Sequence, residues 1–255
     1  MLLAFEIGAV ASAVAAAYGV CYFIAATRLP QTPCVAFAAD AIFGIVYYPL
    51  VVVLASQSTL ALYPDVHSRW HGTTPASRML AILLVSRMIV HVPFLELKKQ
   101  IKESKAQRPI FLIHHAIVIV VYLTGLVLGR CHFWGAMNAL CETTNVFLTV
   151  IELFTSCRKS TRARFEAMHK ASTLAFGVAY FLFRLVLFPV LLFWFISDLV
   201  AHPDETLRQL GVFELVAYPF ATCAIFALSV KWAVPVAEGT WRVLHQLVEK
   251  EVKSP

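Results

Sequence analysis

The sequence predicts an all-α fold: a polytopic membrane bundle of about seven transmembrane helices, with a C-terminal cytosolic or interfacial helix. Three observations predict it. Of the 255 residues, 60% are hydrophobic and 14% are charged, whereas a soluble domain carries nearer a quarter charged residues. The mean hydropathy is +0.75. Apolar segments of membrane length follow one another with short polar gaps, which points to one membrane domain.

The segments run over 2–26, 34–55, 76–95, 109–129, 131–154, 172–196 and 211–234. Each supplies about the 20 residues that a ~30 Å hydrocarbon core requires. The first carries Glu6 and has no basic leader, so it reads as a retained span rather than a signal peptide. The third and fourth begin near Thr74-Pro75 and Arg108-Pro109, because proline's missing N–H costs little in the first turn of a helix. Prolines 49, 93, 189 and 219 fall inside spans and show no pairing between halves, unlike transporters built from inverted repeats. After the seventh span, Trp241, Leu244, Leu247 or Val248, and Val252 share one helical face, with Glu238, Arg242, Gln246, Glu249 and Lys250 elsewhere. That pattern predicts a separate amphipathic element, interfacial or cytosolic. The chain thus divides into a first helix and loop (1–33), a transmembrane domain (34–234) and a tail (235–255).

Charge orients the bundle. Fifteen of the 21 Lys and Arg residues flank one side: Arg28, five over 96–108, five over 155–171, and four from Lys231 to Lys253. Only Arg69, Arg78, Arg130 and Arg208 flank the other, and Arg87 and Arg184 lie within spans. The positive-inside rule then places the C-terminus in the cytosol. The formal net charge of +6 is a topology signal on this reading, and no nucleic-acid partner is expected. Six cysteines without a CxxC spacing read as small buried apolar residues, not as a disulfide or zinc framework.

Two constellations carry chemistry. His114 and His115 open the fourth apolar segment, and ionisable groups in hydrocarbon tend to face a cavity or a partner. Adjacent residues diverge by about 100° on a helix, so only one can face a pocket squarely. They are poorly placed to chelate one ion, and no metal or other cofactor is expected. On the fifth segment, Asn138, Glu142, Asn145, Thr149 and Glu152 are spaced as one helical face, which must turn inward in lipid. Glu142, if paired, calls for a cation; Arg87, His91 and Arg184 are available, with Asp40 another intramembrane charge. Arg184 costs about 2.5–3.5 kcal/mol at mid-span before pairing, so a buried partner is expected. Pro189 is expected to kink the sixth helix. By depth, His114 and His115 lie about 8–9 Å inside the cytosolic end and Glu142 about 15 Å deeper than Glu152. One elongated ligand could touch both, in a pocket expected to open toward the cytosolic leaflet.

The His114-His115 helix start, the run Glu142-Thr143-Thr144-Asn145, and Phe183-Arg184 followed by Pro189 resemble the TLC-domain family. That family includes the ceramide synthases and the smaller TLC-domain-containing proteins, to which this chain is the more similar. The resemblance implies a multi-span protein of the endoplasmic reticulum with an intramembrane lipid cavity. In the synthases, acyl-CoA donates an acyl group to a sphingoid amine, and a histidine pair and following aspartates line the cavity. Here Leu140-Cys141-Glu142-Thr143-Thr144-Asn145 keeps only one carboxylate of that aspartate pattern. The resemblance therefore gives His114, His115 and Glu142 as candidate catalytic residues, and Asn138, Asn145, Thr149, Tyr122 and Arg184 as candidate lipid contacts. The leading expectation is a lipid-binding protein of sphingolipid or phospholipid homeostasis, with membrane lipids as its partners. The alternatives are a synthase-like N-acyltransferase, with acyl-CoA as substrate, and a seven-span receptor or transporter.

Overall fold

The computed structural model describes residues 1–29, 32, 34–97, 102–157 and 163–252, and side chains within these ranges except at 95–97, 102–108 and 250–252. Many of the basic residues used above for orientation, from Lys98 to Arg108, from Arg158 to Arg162, and Lys250 and Lys253, lie outside the described side chains, as does Val252.

No strand occurs among the described residues. The helices are α1 (Leu2–Arg28), α2 (Val35–Leu62), α3 (Val66–His71), α4 (Pro75–Leu97), α5 (Lys102–Leu128), α6 (His132–Ala139), α7 (Thr143–Ser156), α8 (Glu166–Tyr180), α9 (Leu187–Ala201) and α10 (Val212–Val252). Among the described residues, six stretches are long and apolar enough to cross a membrane: Leu2–Arg28, Val35–Leu62, Val66–Phe94, Pro109–Leu128, Glu166–Ala201 and Val212–Glu249. The protein is an all-α polytopic bundle. The expected span 131–154 is not in that set, and it is not one helix. A 3-10 turn, Leu140–Glu142, joins α6 to α7.

Two other expectations change. Pro109 lies inside α5 rather than in its first turn, where it forgoes one backbone hydrogen bond. Residues 235–252 are not a separate element but continue α10 through Pro235; proline's fixed φ suits a helix although its missing N–H does not.

At one end of the bundle three connections meet. The short α3 follows α2, its N-terminus capped by Asp65, whose carboxylate accepts from the Ser68 N–H at 2.8 Å. The α5–α6 turn is tight, with Gly129 and Cys131 both at positive φ, 65° and 63°. For Cys131 that conformation costs roughly 1–2 kcal/mol, and its N–H is held by the Trp70 carbonyl at 2.8 Å. Residues 202–211 join α9 to α10, and Arg130 donates to the Gln209 carbonyl at 2.8 Å. Beneath them Arg69 donates to both oxygens of Asp198, at 2.8 and 2.9 Å, and Trp70 Nε1 donates to Asp198 at 3.2 Å. An aromatic core of Trp70, Phe133, Trp134 and Phe195 packs below this pair. The segment α6–α7 starts here and finishes where the Phe154 ring meets Phe165 and His169.

Two contacts between long helices need glycine. A Cβ on Gly44 of α2 would overlap Thr149 Cγ2 of α7, and one on Gly177 of α8 would stand 2.5 Å from Thr240 Oγ1 of α10. Small residues let helix backbones pack closely where hydrocarbon outside supplies no hydrophobic drive. Between α8 and α9 the chain makes a π turn, Phe181–Val186, and the Leu187 N–H reaches back five residues to the Leu182 carbonyl. Pro189 lies just beyond and cannot donate to the Leu185 carbonyl. The wide turn is the form its expected kink takes.

Candidate functional site

A narrow cavity of about 40 Å³ lies among α4, α5, α6 and α10. His114, Tyr122, Asn138 and Glu142 line it, together with apolar Leu84, Met88, Ile117 and Val121. That volume is near the share of one liquid water, so only the end of a ligand fits without side-chain movement. Beside it, between α5 and α10, runs an apolar groove of about 550 Å³. Its walls are residues such as Ala116, Val120, Phe213, Val216, Ala217 and Phe220. Ile117, Val121 and Ala221 line both spaces, so the groove adjoins the polar cavity. The groove residues of α5 all follow His114 in sequence. It therefore extends toward the end where α5 finishes and α10 starts, not toward the His114 end as expected.

The histidine pair divides in the way that a helix demands. His114 faces the cavity, and among the described residues its ring makes an edge-on contact with His115, centroids 5.8 Å apart, but no hydrogen bond. His115 turns away and is buried. Its Nδ1 stands 2.6 Å from the Phe111 carbonyl. A carbonyl only accepts, so this nitrogen carries the proton. Its Nε2 stands 2.9 Å from His91 Nδ1, and a neutral His115 accepts there.

His91 hands the connection on. Its Nε2 lies 3.3 Å from Asp40 Oδ2. That contact is at an ion-pair distance rather than an aligned hydrogen bond, while His91 Nδ1 donates to His115. The other oxygen of Asp40 accepts from Arg87 Nη2 at 2.7 Å and from the Tyr18 hydroxyl at 2.5 Å. The Arg87 guanidinium also stands over the rings of Tyr18, Phe43 and Tyr47, 4.9, 5.5 and 5.8 Å from their centroids. Thus Arg87 and His91, considered above as cations for Glu142, meet Asp40 instead. They link α1, α2, α4 and α5 and fix the helix that presents His114. Their role could not be read from any single segment, because the three pairings join four helices.

The polar stripe of the fifth segment is divided by the 3-10 turn. Asn138 donates to the Trp134 carbonyl at 3.0 Å and accepts from Thr222 at 3.2 Å. Glu142 accepts from the Asn145 amide at 2.5 Å; this partner is neutral, not the cation expected. Thr149 donates back to its own helix and sets its methyl against Gly44. Tyr122 donates to the Gly135 carbonyl at 2.7 Å while its ring lines the cavity. Arg184 donates from Nε to Thr144 Oγ1 at 2.9 Å and lies 5.8 Å from the Tyr180 ring, so it has the polar partner expected of it. His115, Asn145, Thr149 and Arg184 do not line the cavity. What the cavity offers chemically is a free imidazole, an amide and a carboxyl group at the mouth of an apolar groove.

One cluster escaped the sequence reading. His67 and His71 stand one helical turn apart on α3, an HxxxH spacing plain in the sequence, and Glu205 meets them from the α9–α10 connection.

A family model described as TLC domain matches residues 37–238 of the chain. No curated protein and no solved structure matches it.

Proposed function

The chain belongs to the TLC-domain family, and from that premise we propose that it holds an acyl chain of a membrane lipid in the α5–α10 groove. It serves, on this reading, the homeostasis of sphingolipids or phospholipids. The observation that carries the reading is the junction of the two spaces. The apolar groove shares Ile117, Val121 and Ala221 with a cavity that presents His114, Asn138 and Glu142. A lipid tail gains little hydrophobic free energy by leaving the bilayer, which is as apolar as the groove. Selection therefore rests on shape along the groove and on polar groups at its end. With His114 near the cytosolic surface by charge topology, the tail would run past mid-membrane from its polar end. The same reading puts the protein in the endoplasmic reticulum, C-terminus cytosolic, following the excess of basic residues on that side.

The test is mass spectrometry of the lipid that co-purifies with the protein and with two variants. Ala217→Trp narrows the groove, and Glu142→Gln alters its polar end. Both should purify folded and lose the retained lipid. Unchanged lipid in folded Ala217→Trp protein would overturn the groove as its site.

A second reading, N-acyl transfer from acyl-CoA to a lipid amine, is favoured by the unengaged His114 ring. A neutral imidazole there takes the amine proton as the amine attacks the thioester; the acyl C–S bond then breaks and the imidazolium returns the proton to the departing CoA thiolate, leaving an amide and free CoA. Transfer by the purified protein, abolished in His114→Ala with lipid retained, would establish it. No transfer by wild type would leave binding as the function.

A further inference from the structure

We infer that His67, His71 and Glu205 form a divalent transition-metal site, best suited to zinc, at the end of the bundle opposite His114. The ligand atoms of the three residues all lie within 4.8 Å of one another. Zinc bonds of about 2.0–2.1 Å at tetrahedral angles set neighbouring ligands about 3.3 Å apart. Closing the set therefore needs shifts of about 1.5 Å or less, within reach of side-chain rotation. Two histidines at i and i+4 present both rings on one helical face. Their ring centroids are 5.0 Å apart. The carboxylate comes from a segment far away in sequence, as in sites of two histidines and one glutamate that keep a coordination position for water.

The donors are already drawn together. His67 Nδ1 lies 3.1 Å from Glu205 Oε2, and His71 Nε2 lies 2.8 Å from the Glu205 carbonyl. Both supports are hydrogen-bonded to buried groups. Between the histidines, Arg69 and Trp70 are tied to buried Asp198. Beside Glu205, the fully buried Thr206 donates to the His202 carbonyl at 2.7 Å. Preorganised ligands lower the cost of binding. The site is also open, since the His67 side chain is 66% and the Glu205 side chain 43% exposed, so an ion can enter from solvent. A bound ion would staple α3, and with it the α2–α4 connection, to the α9–α10 connection.

The experiment uses the full-length protein in detergent, freed of any histidine tag and stripped with chelator, then equilibrated with zinc and dialysed. Elemental analysis should find about one zinc per chain, and zinc should raise the thermal midpoint. His67→Ala and Glu205→Gln should each weaken binding by more than about 100-fold, the loss that even outer-shell changes can cause. His245→Ala, an exposed histidine on α10 outside the cluster, should bind as wild type. Glu205→Gln is nearly isosteric, so it separates lost coordination from lost folding. Wild-type protein without bound zinc, or zinc retained by both folded ligand variants, would overturn the assignment.

Discussion

Replacing Asp40 with leucine removes the anion that faces Arg87 inside the bundle. The pair is buried, with side-chain exposures of 12% for Asp40 and 3% for Arg87. The Arg87 Nε and Nη1 atoms have no hydrogen-bond partner among the described residues, so Asp40 and three aromatic faces carry the compensation of its charge. Removing one partner of a buried pair typically costs about 3–5 kcal/mol, because the surviving charge stays desolvated. For a chain of this size each kcal/mol lowers the unfolding midpoint by about 2–4 °C, so the expected loss is roughly 6–20 °C. Arg87→Met should cost a similar amount, since it strands Asp40 with Tyr18 and His91. The double variant should be milder than the sum, with a coupling energy of about 2–3 kcal/mol. The assay is thermal unfolding of the two single variants and the double in one detergent, read by intrinsic fluorescence. Additive losses, or single losses below about 1 kcal/mol, would refute the pair as the pin between α2 and α4.

Three further outcomes are expected. Gly177→Ala should lower folded yield, because its Cβ would overlap Thr240; Thr240→Ala should restore it, and failure of that rescue would show that the α8–α10 contact is not the cause. Hydrogen bonds from Ser68 hold the Asp65 carboxyl below its ordinary value; its contribution to capping α3 is thus complete above that ordinary value and lost as pH falls through the lowered one. The protection of the Ser68 amide, relative to an unstructured amide at the same pH, should then fall at acid pH in wild type but be low at every pH in Asp65→Ala, and equal profiles would exclude the cap. Tags at the two ends should be protected on opposite sides of sealed microsomes, a result that shared protection would contradict.

The fold class was readable because hydrocarbon thickness constrains composition directly: long apolar runs have few other uses in a chain with so few charges. Arg184's need for a partner was readable for the same reason, since the cost of a charge in lipid depends on position alone. The partner itself, Thr144, was not, because it is set by how α7 meets the turn before α9. Likewise, Leu140-Cys141-Glu142 holds neither proline nor glycine to announce a 3-10 turn, so an unbroken polar face was the natural expectation. The division of the histidine pair followed from helix geometry, but which of the two faces the cavity depended on where His91 stands on a neighbouring helix. His67 and His71 were legible as a spacing; only folding supplies Glu205.

The π turn at Phe181–Val186 works as a phase shifter. An α-helix advances about 100° per residue, so one residue accommodated in a wide turn rotates everything after it by that angle relative to everything before. Arg184 sits inside the turn and reaches Thr144. Phe188, Leu191 and Phe195 beyond it are buried, while Tyr180 before it bonds the Ser229 carbonyl of α10. Both halves of the span thus present the correct side to the bundle only because the turn is one residue too long. A chain shortened by a single residue here would regain a regular helix and lose its alignment: either α8 would leave α10, or the aromatic side chains of α9 would swing out into lipid.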